Sequence, residues 1–208
     1  MHKFLAVFQL AALAFFLVVF IGRSLYLWLA QGINPLALGS GKKGLPRLLE
    51  LLLLPWLALW MLAVVLAAWP GVSPGVASLW APAWPAGLVA PELLGVLGIL
   101  AGEALFVWAL ASFGASWRIG IDEKKAGALV TGGVFAFSRN PVFAFIDLYF
   151  LGTFLVNGGL VFLVFALVTV IALHYQVLQE EAFLASRYGQ PYREYCQRTR
   201  RYFGRRSV

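Results

Sequence analysis

Charged side chains are scarce in this sequence: Asp, Glu, Lys and Arg make up 12% of its 208 residues, about half the share of a soluble domain. With 62% of the residues hydrophobic, too little polar surface is left to face water. A water-soluble globular chain is excluded, and a bilayer is the expected solvent. Cysteine is almost absent. Cys196 stands alone in a polar, basic stretch, so neither a disulfide framework nor a cysteine-based metal site is available, and no metal is expected. Acidic residues are also few, giving a net charge of +7. The basic residues fall between apolar runs rather than along one soluble face, so they fit a membrane surface, and no nucleic-acid partner is expected. Finally, a small-x-small cleavage site is missing before Arg23, and the apolar run from Phe4 to Ile21 is longer than a signal-peptide core. It reads as a retained span.

What the sequence does have is long apolar runs. A hydrocarbon core of roughly 30 Å takes about 20 helical residues to cross, and five runs near that length predict an all-α integral membrane protein. The first covers about Phe4 to Leu29, the second Leu48 to Trp69 and the third Leu93 to Phe113. The stretch from Pro141 to Leu178, broken at Asn157-Gly158-Gly159, predicts a tight helical hairpin that supplies spans four and five. Between spans two and three, prolines and the indoles of Trp80 and Trp84 suit the headgroup level. From Gln179 the composition turns charged, and this tail cannot cross. One membrane domain, 1–208, is expected, with three N-terminal spans in 1–113 and the loop, hairpin and basic tail in 114–208. Lys and Arg cluster in the first loop, the segment before Asn140 and the tail, which predicts a multi-pass cell-membrane protein with its N-terminus outside and its tail cytoplasmic.

Polar groups concentrate in the last ninety or so residues. Leu129-Val130-Thr131-Gly132-Gly133-Val134-Phe135 precedes Ser138-Arg139-Asn140-Pro141. The two glycines let backbone approach a ligand, and Pro141 suits a first helical turn whose amides bind anions. By itself this also reads as an ordinary turn with Arg139 anchored at the headgroups. His174, Glu180 and Glu181 leave span five, with His174 and Glu181 seven residues apart on one helix face. Acidic charge on an otherwise basic surface calls for a cationic partner. Glu103 and Asp147 lie within spans three and four, where an unpaired charge is costly, so each is expected to be paired, neutral or facing a polar cavity.

In order and spacing these pieces resemble the C-terminal half of the isoprenylcysteine carboxyl methyltransferase and phospholipid methyltransferase superfamily, over about Phe113 to Phe203. The resemblance is carried by Leu129-Val130, Gly133, Phe135, Arg139-Asn140-Pro141, the hairpin, Glu180-Glu181, Tyr188-Gly189, Tyr192 and Tyr195. Asn140, a variant associated with bacterial members, stands where the eukaryotic prenylcysteine enzymes have histidine, and Phe143 where a tyrosine is common. The resemblance implies S-adenosylmethionine as cofactor, in a cytoplasmic pocket formed by Leu129, Val130, Gly133, Arg139, Asn140, Pro141, Glu180 and Glu181. It also implies a lipidic or amphiphilic acceptor, a prenylcysteine-like carboxylate being one candidate. Arg139 is then expected to orient cofactor or acceptor, and His174 to serve as the base for an amine acceptor. Glu103 and Asp147 are expected to line a lateral route for the acceptor from the surrounding membrane lipids. A sterol-reductase-like NADPH enzyme and a non-catalytic membrane scaffold or transport protein are the competing readings.

Overall fold

A computed structural model describes residues 2–32, 44–69, 71, 84–85, 88–114 and 129–205. The elements are α1 (His2–Gln31), α2 (Gly44–Ala68), α3 (Ala90–Phe113), a 3-10 turn (Gly133–Ala136), α4 (Pro141–Asn157), α5 (Gly159–Tyr188) and α6 (Gln190–Arg198). Among the described residues there is no β-sheet, and one isolated bridge pairs Thr199 with Arg205. The protein is an all-α integral membrane protein. Helices α1, α2, α3 and α5 are long and apolar enough to cross a bilayer. The 17 residues of α4 span about 25 Å at 1.5 Å per residue, the short end of the crossing range.

Local chemistry sets the helix ends. Proline stands in the first turn of α3, α4 and α6, where no N–H is required. Gly158 and Gly189 close α4 and α5 with φ of 65° and 58°, a backbone conformation that side chains with a Cβ resist. The hairpin therefore turns where Asn157-Gly158-Gly159 predicts. Helix α5 runs ten residues past Leu178, because Gln, Glu and Ala after it remain good helix formers. The expected loop with Lys42 and Lys43, and the Trp80 region, lie outside the described residues.

Helices α3 and α4 pack through small residues. A Cβ added at Gly95 would stand 2.6 Å from the Gly152 carbonyl oxygen, and one at Gly102 would stand 3.2 Å from that of Phe145. Close backbone approach of this kind suits helices in lipid, where dispersion rather than water exclusion drives association. Helix α1 adds the Phe16 ring against Phe106, Phe145 and Tyr149. Helix α2 docks by Trp60 Nε1 donating to Thr153 Oγ1 (3.2 Å) and Trp56 Nε1 donating to Thr169 Oγ1 (2.9 Å).

The two ends of the bundle differ. At one end Gln9 and Asn157 exchange side-chain amide hydrogen bonds (3.2 and 2.6 Å), and Trp84 Nε1 donates to the Leu155 carbonyl. At the other, Arg23 donates to the Gly114 carbonyl that ends α3, and the polar C-terminal residues gather. Lys3 is the single described cation at the Asn157 end; Arg23, Arg47, Arg139 and the tail arginines are at the other.

Candidate active site

The site is built where the loop before α4 meets the chain after α5. Gly133 takes φ +61°, and a Cβ there would stand 2.4 Å from Ser112 Oγ. The Val134 N–H donates to that same hydroxyl (3.1 Å). The glycine thus seats the 3-10 turn on the end of α3. Its close approach in the folded chain is to the Ser112 side chain. Leu129 and Val130 lie half-buried just before, packed against the core.

The tail folds back over this loop. Tyr195 Oη donates to the Phe135 carbonyl (2.7 Å), and the Arg139 N–H donates to the Arg200 carbonyl (3.1 Å). The Gly204 N–H donates to the Phe137 carbonyl (2.9 Å). Burial pushes the phenols of Tyr195 and Tyr192 up beyond the ordinary tyrosine range, so both stay neutral O–H groups.

Glu181 is the centre of the arrangement. Its Oε1 takes Arg139 Nη2 (3.0 Å) and Asn140 Nδ2 (3.1 Å), while its Oε2 takes Arg201 Nε (3.1 Å) and Nη2 (2.8 Å). Asn140 also donates to the Arg201 carbonyl (3.2 Å), so one amide ties loop, helix and tail together. The hydrogen bonds it donates to Glu181 hold the Arg201 guanidinium above its usual range. Two arginines around one glutamate leave a net positive charge. Two polar atoms are buried there without a hydrogen-bond partner, Arg139 Nε and Tyr192 Oη. Pro141, fully buried, opens α4 directly beside this cluster.

One turn away on α5, Gln176 Nε2 lies 3.4 Å from a carboxylate oxygen of Glu180 and 3.4 Å from one of Glu50, which is buried on α2. Of the two neighbouring glutamates, Glu181 meets the two arginines and Glu180 shares Gln176 with Glu50. Deeper along α5, His174 Nδ1 and Tyr202 Oη are 2.7 Å apart. Burial, then the Asp147 carboxylate, raises the Tyr202 phenol, which places Asp147 near this pair.

Of the residues expected to form the site, Arg139, Asn140, Pro141 and Glu181 come together, with His174 linked through Tyr202. Glu103 does not join them. It opens instead on a groove between α1 and α3. Arg201, Tyr202, Ser112 and Glu50 were missed. In sequence Arg201 is one of a run of basic residues, and its signal was indirect: an acidic pair in basic surroundings that required a cation.

The phospholipid methyltransferase family model matches residues 91–191, the segment from the start of α3 to the start of α6. No curated protein and no solved structure matches the chain. The Arg139-Asn140-Pro141 loop, the hairpin, Glu180-Glu181 and Tyr188-Gly189 all fall inside the matched segment, which is a phospholipid methyltransferase domain of the superfamily that also holds the isoprenylcysteine carboxyl methyltransferases.

Proposed function

We propose that this protein is an S-adenosylmethionine-dependent methyltransferase that acts on a lipidic or small amphiphilic acceptor at the cytoplasmic face of the cell membrane, working as one membrane domain. The observation that carries this reading is the Arg139–Glu181–Arg201 cluster, inside or bordering the family domain, with Arg139 Nε and Tyr192 Oη buried and without partners. A cationic pole with two free donors fits the carboxylate of the cofactor's methionine end. Its ammonium falls to Glu180, the glutamate that shares Gln176 with Glu50. Leu129 and Val130 offer an apolar surface to the adenine. Glu181 then acts mainly by holding Arg139 and Arg201 in place, and Gly133, Asn140 and Pro141 by shaping the loop that carries Arg139.

When bound, the cofactor supplies an electrophilic methyl group on a sulfonium. Transfer is an in-line displacement, so the chain's contribution is largely orientation and exclusion of water. Arg139 orients. A carboxylate acceptor is already ionised near neutral pH, whereas an amine must first lose a proton. His174 is the base we assign to that step: in the tautomer whose Nδ1–H donates to Tyr202 Oη, Nε2 carries the lone pair. Asp147, near Tyr202, belongs to the acceptor's side of the site. The cation asymmetry between the two bundle ends supports a cytoplasmic tail and an outer N-terminus.

The test is transfer of a radiolabelled methyl group from the cofactor to membrane lipids by the reconstituted full chain. Label appears in the lipid fraction with the wild type and falls at least about a hundredfold with Arg139→Ala. Release of the label as methanol in mild base identifies an ester and hence a carboxylate acceptor; a base-stable label identifies an amine. No transfer to any lipid fraction by the folded protein contradicts the proposal.

A further inference from the structure

Glu103 is no partner of the Arg139–Glu181–Arg201 cluster, and its surroundings are of a different kind. The α3 face carrying Gly95, Gly98 and Gly102 presses on α4. The stripe of Leu100, Ala104, Val107 and Ala111 points away from α4 and, with Phe15 of α1, lines a groove of about 490 Å³. Glu103 is at its edge, 7% exposed, with Oε1 buried and without a hydrogen-bond partner. Ten residues separate it from the end of α3 at Phe113, about 15 Å along the helix axis, so it stands near the middle of the bilayer.

An isolated carboxylate at that depth is costly, and no described cation reaches the groove, so the partner it calls for is one that hydrogen-bonds the uncharged carboxyl. A neutral carboxyl both donates and accepts a hydrogen bond. Its complement is one uncharged polar group on an otherwise apolar molecule. Ordinary phospholipid tails present only methylenes at mid-bilayer, and headgroups do not reach it. We propose that the α1–α3 groove is a lipid-binding site, separate from the methyl-transfer site, for a neutral lipid whose carbonyl hydrogen-bonds Glu103 at mid-bilayer depth. The proposal stands independently of the methyltransferase reading.

Two probes of equal length test it on the detergent-purified full chain: nonadecan-10-one, with a central carbonyl, and nonadecane, without one. The wild type binds the ketone about tenfold more tightly than the alkane, and the ketone's infrared carbonyl band moves to lower wavenumber. Glu103→Gln, which keeps a donor, retains the preference, and Glu103→Leu abolishes it. Ala104→Leu, which fills the groove, weakens both probes and covers the case in which Glu103→Leu does not fold. Equal binding of the two probes, or an unshifted carbonyl band in the wild type, overturns the proposal. So does disulfide formation between Val107→Cys copies in the membrane, which puts a second copy of the chain in the groove.

Discussion

At the residue scale, the carboxylate of Glu181 accepts from three side chains on two segments, Arg139 and Asn140 of the loop before α4 and Arg201 of the tail. Neutralising it in Glu181→Gln leaves Arg139, whose side chain is 9% exposed, buried without its counter-charge, a loss on the order of 3 kcal/mol. The expected outcome is a lower melting temperature in detergent, checked beside Arg201→Gln, which loses less because Arg201 is partly exposed. Tyr195→Phe removes the donor to the Phe135 carbonyl and costs about 1–2 kcal/mol. Alkaline pH acts on the same contacts. Burial raises Tyr192 and Tyr195 in the folded chain, so the unfolded chain releases these protons first as pH climbs past about 10. Above that pH the unfolded state binds fewer protons and stability falls. Melting temperatures at pH 9 and 11 check the sign, and the drop is smaller in Tyr195→Phe. Much of this chemistry was legible as residue types, since Arg139, Asn140, Glu181, Tyr192 and Tyr195 all stand in recognisable order. Which glutamate meets which charge was not legible, because the two are adjacent and differ only in direction around α5.

At the scale of elements, apolar run length and Gly/Pro punctuation were enough to locate the spans, including the hairpin turn at Asn157-Gly158-Gly159. The end of α5 was not, because hydropathy reports the membrane boundary near Leu178 and not the helix boundary, which waits for Gly189 at φ 58°. The family resemblance implies a folded-back tail, but the contacts that hold it were hidden. The return depends on backbone carbonyls of the loop accepting from Tyr195 and from tail amides, and carbonyls leave no mark in a sequence. Close packing yields a sharp prediction here. Gly133→Ala places a Cβ 2.4 Å from Ser112 Oγ at a φ of +61°, so it strains the 3-10 turn and displaces the loop bearing Arg139. Loss of cofactor-analogue affinity with little change in melting temperature is expected. Rescue by Ser112→Gly, which removes the obstructing hydroxyl, separates crowding from backbone strain.

At the scale of the whole molecule, the bundle holds a latch of Gln9 and Asn157 at one end and its cations and polar cluster at the other. The orientation proposed from that asymmetry is checked in a Cys196→Ser background. A cysteine at the exposed position 197 is expected to react with a membrane-impermeant maleimide only after the cells are opened, and one at position 2 without opening them. Helices α1 and α2 lie outside the family domain, yet α2 brings Glu50 to Gln176, beside Glu180, so the cofactor pocket is expected to need more than the matched segment. The most direct measurement of the central claim is calorimetric titration of the detergent-purified full chain with S-adenosylhomocysteine, beside Glu181→Gln. The account predicts saturable binding by the wild type and its loss in a variant that remains folded at the titration temperature. A folded wild type that takes up no S-adenosylhomocysteine would contradict it.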